Sequence, residues 1–334
     1  MRPELKALCS SFIQNRDIVK EHFFWTNSNF YPIAAAILTD KRVTARGDML
    51  ERCKNILESE TGFFSNFQSY AKLAVIAMLA VKPHPEVSMK NGLAVYRKLK
   101  DYFWNSTYLP VAAMIIADMV EPTQYDEIAA RTRHIYELMK VKHPFLTAGE
   151  DSVFAAMLAL SPLSDEQVVE ETESCYRLIN PEFLFSGDAV QSSSHVLALC
   201  DGKAIEKCKR TMELFHALKA NGCKYGTSYE LATLGVLAML PVPQEQIIRD
   251  FLEVDEFLQR QKGYGFWGSI TKRERYMHVA MLVTSSYAED DSIVGTTMNS
   301  AAINGTISLV AAQQAAMCAA IAASNAAAAN AANN

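Results

Sequence analysis

Apolar positions along this chain gather into short, nearly unbroken runs that end on a helix breaker and recur about every forty residues. The runs stop at Asp40, Pro83, Pro122, Pro162, Asp201-Gly202 and Pro241, at intervals of 39 to 43 residues. Between them lie mixed segments in which apolar and charged positions alternate with a helical period. A fixed period of this length marks stacked helix pairs. We therefore expect an all-α fold of about seven helix-pair repeats of ~40 residues, arranged as an open α/α superhelix (a solenoid) or a closed α/α toroid.

The apolar runs form an inner series: Tyr31–Thr39, Tyr70–Val81, Leu109–Val120, Ser152–Ser161, Ser192–Cys200, Leu231–Leu240 and Tyr276–Thr284. Each is apolar nearly all round, as in Leu73-Ala74-Val75-Ile76-Ala77-Met78-Leu79-Ala80. A helix without a polar face has to be covered on every side. The richness in Ala, Leu and Met favours helix over buried strand.

The outer series is amphipathic. In the third copy Ile128, Ile135 and Leu138-Met139 share a stripe opposite Glu127, Arg131, Arg133 and Glu137. Copies two to six carry an aromatic at Tyr96, Tyr136, Tyr176, Phe215 and Phe257, with Leu99, Leu138, Leu178, Leu218 and Leu258 close behind. This spacing predicts a core-facing anchor in each copy. Each outer-to-inner junction pairs an aromatic with a small polar residue, as in Phe24-Trp25-Thr26, Phe63-Phe64-Ser65, Phe103-Trp104-Asn105-Ser106, Phe145-Leu146-Thr147, Phe185-Ser186, Tyr225-Gly226-Thr227 and Phe266-Trp267-Gly268-Ser269. The polar member suits an N-cap and the aromatic a hydrophobic staple. Because Phe24-Trp25 already matches, Glu4–His22 reads as a lone outer helix that caps the array. One helical-repeat domain over 1–291 follows, without an internal boundary.

Composition changes abruptly after Asp291. Residues 292–334 carry no charged side chain and become a mixture of Ala, Ser and Asn. Ile303, Ile307, Val310, Gln314, Met317 and Ile321 step by four and three residues, the seam of a coiled-coil-like helix. The segment predicts a C-terminal helix that closes the last repeats or joins two chains, with a frayed end from Asn325. Its length also allows a membrane span, but Asn304, Gln313 and Gln314 lie inside it and no Lys or Arg anchors its ends.

With 37 acidic against 32 basic side chains and a net charge of −5, the chain lacks the electrostatic footprint of a nucleic-acid binder. Its seven cysteines form an odd set without a Cys-x-x-Cys pair, which fits buried thiols in a reducing cytoplasm. The opening Met1-Arg2-Pro3-Glu4 is charged where a secretion signal needs an apolar run. The expected location is cytoplasmic.

No phosphate loop, His-Glu-x-x-His, Gly-x-Ser-x-Gly or EF-hand pattern is present. Candidate chemistry comes from departures from the repeat. Aligned inner helices place Ala36, Ala77, Ile116, Ala156, His195, Gly235 and His278 at one position. In a closed ring His195 and His278 would face a shared cavity; otherwise they are core histidines bonded to hydroxyls or backbone. Glu150, Asp151, Asp188 and Glu230 stand near inner-helix starts. There they either supply acid and base chemistry around a funnel or complement the helix dipole. Trp25, Trp104 and Trp267 either line a ligand groove or staple the hairpins. The spacing of His195, Cys200, Cys208 and Cys223 fits no compact zinc site, so neither metal nor cofactor is expected.

The start of the fourth inner helix, Gly149-Glu150-Asp151-Ser152-Val153-Phe154-Ala155-Ala156, the Phe-Trp junctions and the Ala311-Ala312-Gln313-Gln314-Ala315-Ala316-Met317 stretch resemble the bacterial domain-of-unknown-function family 4003. The resemblance covers nearly the whole chain and implies a bacterial cytoplasmic protein. That family has no assigned activity, so no functional residue carries over. The residues favour a non-catalytic protein-binding or scaffold module that engages another protein, or a second copy through the C-terminal helix. The alternatives are an enzyme built on an α/α toroid, with acids and histidines at inner-helix ends, and a membrane-associated protein held by its tail.

Overall fold

The computed structural model describes residues 1–287 apart from 64, 70, 104–107, 148, 150, 184–185, 227–229 and 266–267. Among the described residues every regular element is helical, with fourteen α-helices, short 3-10 turns and no strand. They form two compact units, one over Ser10–Leu160 and one joining Met1–Cys9 to the chain from Ser161. Helix α1 (Pro3–His22) matches the expected opening helix and gives its first turns to the second of these units.

In the unit over Ser10–Leu160, α2 (Phe30–Asp40), α4 (Lys72–Ala80), α6 (Leu109–Met119) and α8 (Asp151–Ala159) alternate with α3 (Gly47–Glu60), α5 (Pro85–Lys100) and α7 (Tyr125–Lys142). The first set is buried nearly all round, and in α4 every residue from Leu73 to Ala80 is covered. Their cover comes from one another and from the amphipathic set, since α4 packs against α2, α3, α5 and α6. Helices α3, α5 and α7 bury one stripe each, as Leu50, Cys53 and Leu57 do in α3. Pro85 begins α5 where its missing N–H costs nothing, and Arg97, Lys98 and Lys100 sit against the negative end of the same helix. At the crossing of α5 and α6 a Cβ on Gly92 would stand 2.3 Å from Met114 Sδ, so the glycine leaves room for the Met114 side chain as it is placed.

The second unit alternates α10 (Gly187–Leu199), α12 (Glu230–Ala238) and α14 (Lys272–Ser285) with α9 (Asp165–Ile179), α11 (Ala204–Ala220) and α13 (Gln244–Gln259). Helix α12 packs on α10 and α14, while α11 packs on α9 and α13. Two helices begin earlier than their apolar runs: α10 at Gly187 instead of Ser192, and α14 at Lys272 instead of Tyr276. The extra turn of α14 is polar and therefore invisible to apolar counting. A capping box holds it, with Thr271 Oγ1 accepting from the Glu274 N–H and Glu274 Oε2 from the Thr271 N–H.

The junction aromatics divide. Phe103 and Tyr225 are buried as staples, but Phe24, Trp25, Phe63 and Phe145 are exposed. The inward place is taken instead by Phe23, Phe67 and Phe183. Phe67, Phe103 and Phe183 each meet an outer-helix aromatic edge to face: Tyr96 at 5.0 Å, Tyr136 at 5.2 Å and Phe215 at 5.0 Å between ring centres. Tyr96, Tyr136 and Phe215 are thus anchored by a ring, and of the five repeat aromatics all but Tyr136 are only half-buried; Leu178 is exposed. The polar junction residues also depart from expectation. Ser65 caps the 3-10 turn Asn66–Gln68 in place of an α-helix, and Ser186 makes no side-chain cap.

Candidate functional site

A polar side chain in a helix core is costly unless it is bonded, so buried polar runs are where function is sought first. In the unit over Ser10–Leu160, α4 and α6 are lined by apolar residues. In the other unit Gln191, Ser192, Ser193, Ser194 and His195 are all buried on α10, Glu230 and Thr233 on α12, and Glu274, Arg275 and His278 on α14. The unbroken polar run Gln191–His195 sets α10 apart from α4 and α6.

Several of the polar groups find partners locally. Ser194 Oγ donates to the Val190 carbonyl at 2.7 Å, and Thr233 Oγ1 to the Glu230 carbonyl at 2.7 Å. The Tyr225 hydroxyl lies 2.6 Å from Thr233 Oγ1, and its ring stacks on Tyr276 at 5.8 Å. Burial pushes both tyrosines well above the ordinary phenol range, and the Cys223 thiol hydrogen-bonded to Tyr276 adds to its shift.

His278 belongs to a second chain of contacts. Its Nδ1 is 2.9 Å from the Tyr264 hydroxyl, and the rings meet edge to face at 5.7 Å. Arg275 Nε donates to Asp255 Oδ1 at 2.6 Å, and Gln259 Nε2 donates to Asp255 Oδ2 at 2.5 Å. The loop between α13 and α14 delivers Tyr264. Gly263 turns at a φ of 91°, a conformation that favours glycine, and its carbonyl accepts the Ile270 N–H at 3.1 Å. A Cβ on Gly268 would fall 2.1 Å from that carbonyl, so the loop closes on itself through two glycines. An imidazole against a phenol can pass a proton. Here both residues are 1 % exposed.

The sequence candidates are placed as follows. His195, His278, Glu230 and Asp188 share the second unit, whereas Asp151 lies in the unit over Ser10–Leu160. Helix α12 packs against both histidine-bearing helices. Its aligned residue Gly235 faces α10, where a Cβ would stand 3.4 Å from Leu197 Cδ2 and 3.7 Å from Ser193 Oγ. Close helix approach explains the small residue at that position. Asp151 and Glu230 are buried as the first residues of α8 and α12, and Asp188 is exposed in the first turn of α10. Glu230 Oε1 lies 3.7 Å from Arg273 Nε, and its carboxylate covers Gly226 so closely that a Cβ there would be 1.4 Å away. Glu150, Trp104 and Trp267 lie outside the described residues, as does the segment 292–334.

Trp25 is 62 % exposed in the turn from α1 to α2, edge-on to Phe24 at 5.1 Å, with Lys54 Nζ 5.9 Å from its ring centre. Phe24, Phe63 and Phe145 are 75 %, 85 % and 98 % exposed in turns that likewise lead into α2, α4 and α8. The staple reading does not fit the exposure of these aromatics. The signal was present in the tandem pairs: adjacent residues point in different directions, so both rings of Phe24-Trp25 cannot enter one core.

Among the described residues no group of three or more His, Cys, Asp or Glu side chains is placed to hold a metal ion. No helix among them is long and apolar enough to cross a membrane.

The model of the family described as "Protein of unknown function (DUF4003)" matches residues 15–315. The chain is also similar to the "Uncharacterized protein YeaA" of Bacillus subtilis (strain 168), with 25 % identity over 279 residues, covering 81 % of this chain and 80 % of that protein. No solved structure matches.

Proposed function

The chain belongs to the DUF4003 family, and from that premise we propose that it is a non-catalytic protein-binding module of the bacterial cytoplasm. Its scaffold is an array of helix pairs, an α/α superhelix or toroid, in which α2, α4, α6 and α8 are inner helices and α3, α5 and α7 outer ones. In such an array every outer-to-inner turn falls on the same edge. The observation that carries the reading is the exposure of Phe24, Trp25, Phe63 and Phe145 in those turns. Large aromatic surface left in water at several turns is characteristic of protein-binding faces, where Trp and aromatic rings dominate the energetics.

The test compares the full chain with the triple variant Trp25→Ser, Phe63→Ser, Phe145→Ser in its own cells. Cross-linked partners are identified by mass spectrometry. The reading expects a partner whose links map to the turns before α2, α4 and α8, and its loss in the variant at an unchanged thermal midpoint. An identical partner set in both proteins, or links that map elsewhere, refutes it.

The Tyr264–His278 contact favours a second reading, an enzyme on the same scaffold with an imidazole–phenol pair as acid and base. It expects turnover of some component in a cell-metabolite mixture that is lost on His278→Gln. Equal turnover by both proteins removes it.

A further inference from the structure

The opening residues Met1–Cys9 belong to the same compact unit as α13 and α14, and Arg2 reaches both helices. Asp250 on α13 is fully buried, a costly place for a carboxylate that lacks a cation. Arg2 supplies the cation: its Nε and Nη2 stand 3.1 Å and 3.0 Å from Asp250 Oδ2. The Tyr287 hydroxyl donates to the same oxygen at 2.5 Å, and Gln246 Nε2 donates to Asp250 Oδ1 at 2.7 Å.

The guanidinium has two further partners just past the end of α14. Its Nη2 donates to Ser286 Oγ at 2.8 Å, and that hydroxyl donates onward to the Val283 carbonyl at 2.7 Å. The Tyr287 ring centre lies 4.3 Å from Arg2 Cζ, within reach of a cation–π contact. Carboxylate, hydroxyl and aromatic face together suit a flat cation with several N–H donors. A lysine ammonium is a compact point charge and does not meet all three in the same way. The Arg2 side chain is 29 % exposed, so solutes reach the site.

We propose that Asp250, Ser286 and Tyr287 form a guanidinium-binding site that the chain fills with its own Arg2, latching the first turn of α1 to the exit of α14. The site is separate from the exposed aromatic turns and from the Tyr264–His278 contact. Withdrawing Arg2 with nothing in its place leaves the Asp250 carboxylate buried without its cation, so the latch rests closed. It opens when a second guanidinium, free or on the arginine of a partner, takes that place. The exit of α14 then stays fastened, and the first turn of α1 is released.

The experiment follows hydrogen exchange by mass spectrometry in the full-length protein and in Arg2→Gln, Arg2→Lys and Ser286→Ala. Arg2→Gln is expected to exchange several-fold faster at 282–287 and in the first turn of α1, with α12 unchanged. Arg2→Lys should resemble Arg2→Gln, and Ser286→Ala, which keeps the ion pair, should show a smaller increase in the same two segments. Millimolar guanidinium chloride should restore slow exchange at 282–287 of Arg2→Gln but not in α1, and sodium chloride at the same concentration should restore neither. Wild-type exchange in Arg2→Gln overturns the latch, and so does acceleration spread equally over α12. Wild-type behaviour of Arg2→Lys, or equal rescue by sodium chloride, overturns guanidinium recognition. If Arg2→Gln does not fold, wild-type exchange at 282–287 in Ser286→Ala refutes the proposal.

Discussion

Replacing Tyr264 by Phe removes one hydroxyl and leaves the ring in place. That hydroxyl is 2.9 Å from His278 Nδ1, and both residues are 1 % exposed, so water does not take its place. Loss of one partner of a buried hydrogen bond costs about 1–3 kcal/mol. His278→Leu breaks the same bond from the other side and also removes the edge-to-face contact of the rings at 5.7 Å, about 0.5–1.5 kcal/mol more. The double variant removes both polar partners at once. It should therefore be less damaged than the sum of the single variants, by a coupling of roughly 1–2 kcal/mol. The assay is urea denaturation of the four proteins at neutral pH, followed by far-ultraviolet circular dichroism and by intrinsic fluorescence. If the single costs add to within about 0.5 kcal/mol, the contact carries no energy. His278 would then not be a core histidine held by a hydroxyl.

Asp255→Ala leaves the buried Arg275 guanidinium without its carboxylate at 2.6 Å and should cost about 3–5 kcal/mol in the same denaturation, whereas a loss under about 1 kcal/mol would show that the pair is replaceable. Gly92→Val should cost about 1–3 kcal/mol because its Cβ would stand 2.3 Å from Met114 Sδ, and adding Met114→Ala should restore part of the loss. Folding raises Cys53 to about 11 and Cys9 and Tyr287 to about 12, chiefly by burial. The unfolded chain therefore releases these protons first, and stability complete below about pH 9 should fall as pH rises through 12; a thermal midpoint that rises between pH 9 and 11 contradicts this. Trp25→Ser and Phe63→Ser should each change stability by less than about 0.5 kcal/mol, since both rings stand in water.

Much of the helical order was legible. The breakers Asp40, Pro83 and Pro122 end or follow α2, α4 and α6 because each apolar run is a local signal, complete within a few turns. The opening helix was found within a residue of its start. Helix starts were harder at α10 and α14: the first turn of α14 is polar and is held by a capping box instead of by apolar period, and α10 opens on Gly187-Asp188 ahead of a buried polar run. Of the candidate site, burial of His195 and His278 followed from their place in apolar runs. The partner of His278 did not: Tyr264 arrives from a glycine-turned loop that carries no periodic signal. The Cys175–Cys208 contact was equally hidden, because the two residues stand on different amphipathic helices and share no motif.

Local spacing alone determined that this chain is helical, where most helices lie and which of them lack a polar face, since 3.6-residue periodicity and breakers act over a few residues. Tertiary structure decided which of the aromatic rings near the junctions turn inward. Phe23 and Phe67 went in, and Trp25 and Phe63 stayed out. It also decided which acid meets Arg275 and which carbonyl accepts from the Cys208 thiol. Those choices depend on distances between helices, and a sequence of side chains contains no distances until the helices have packed.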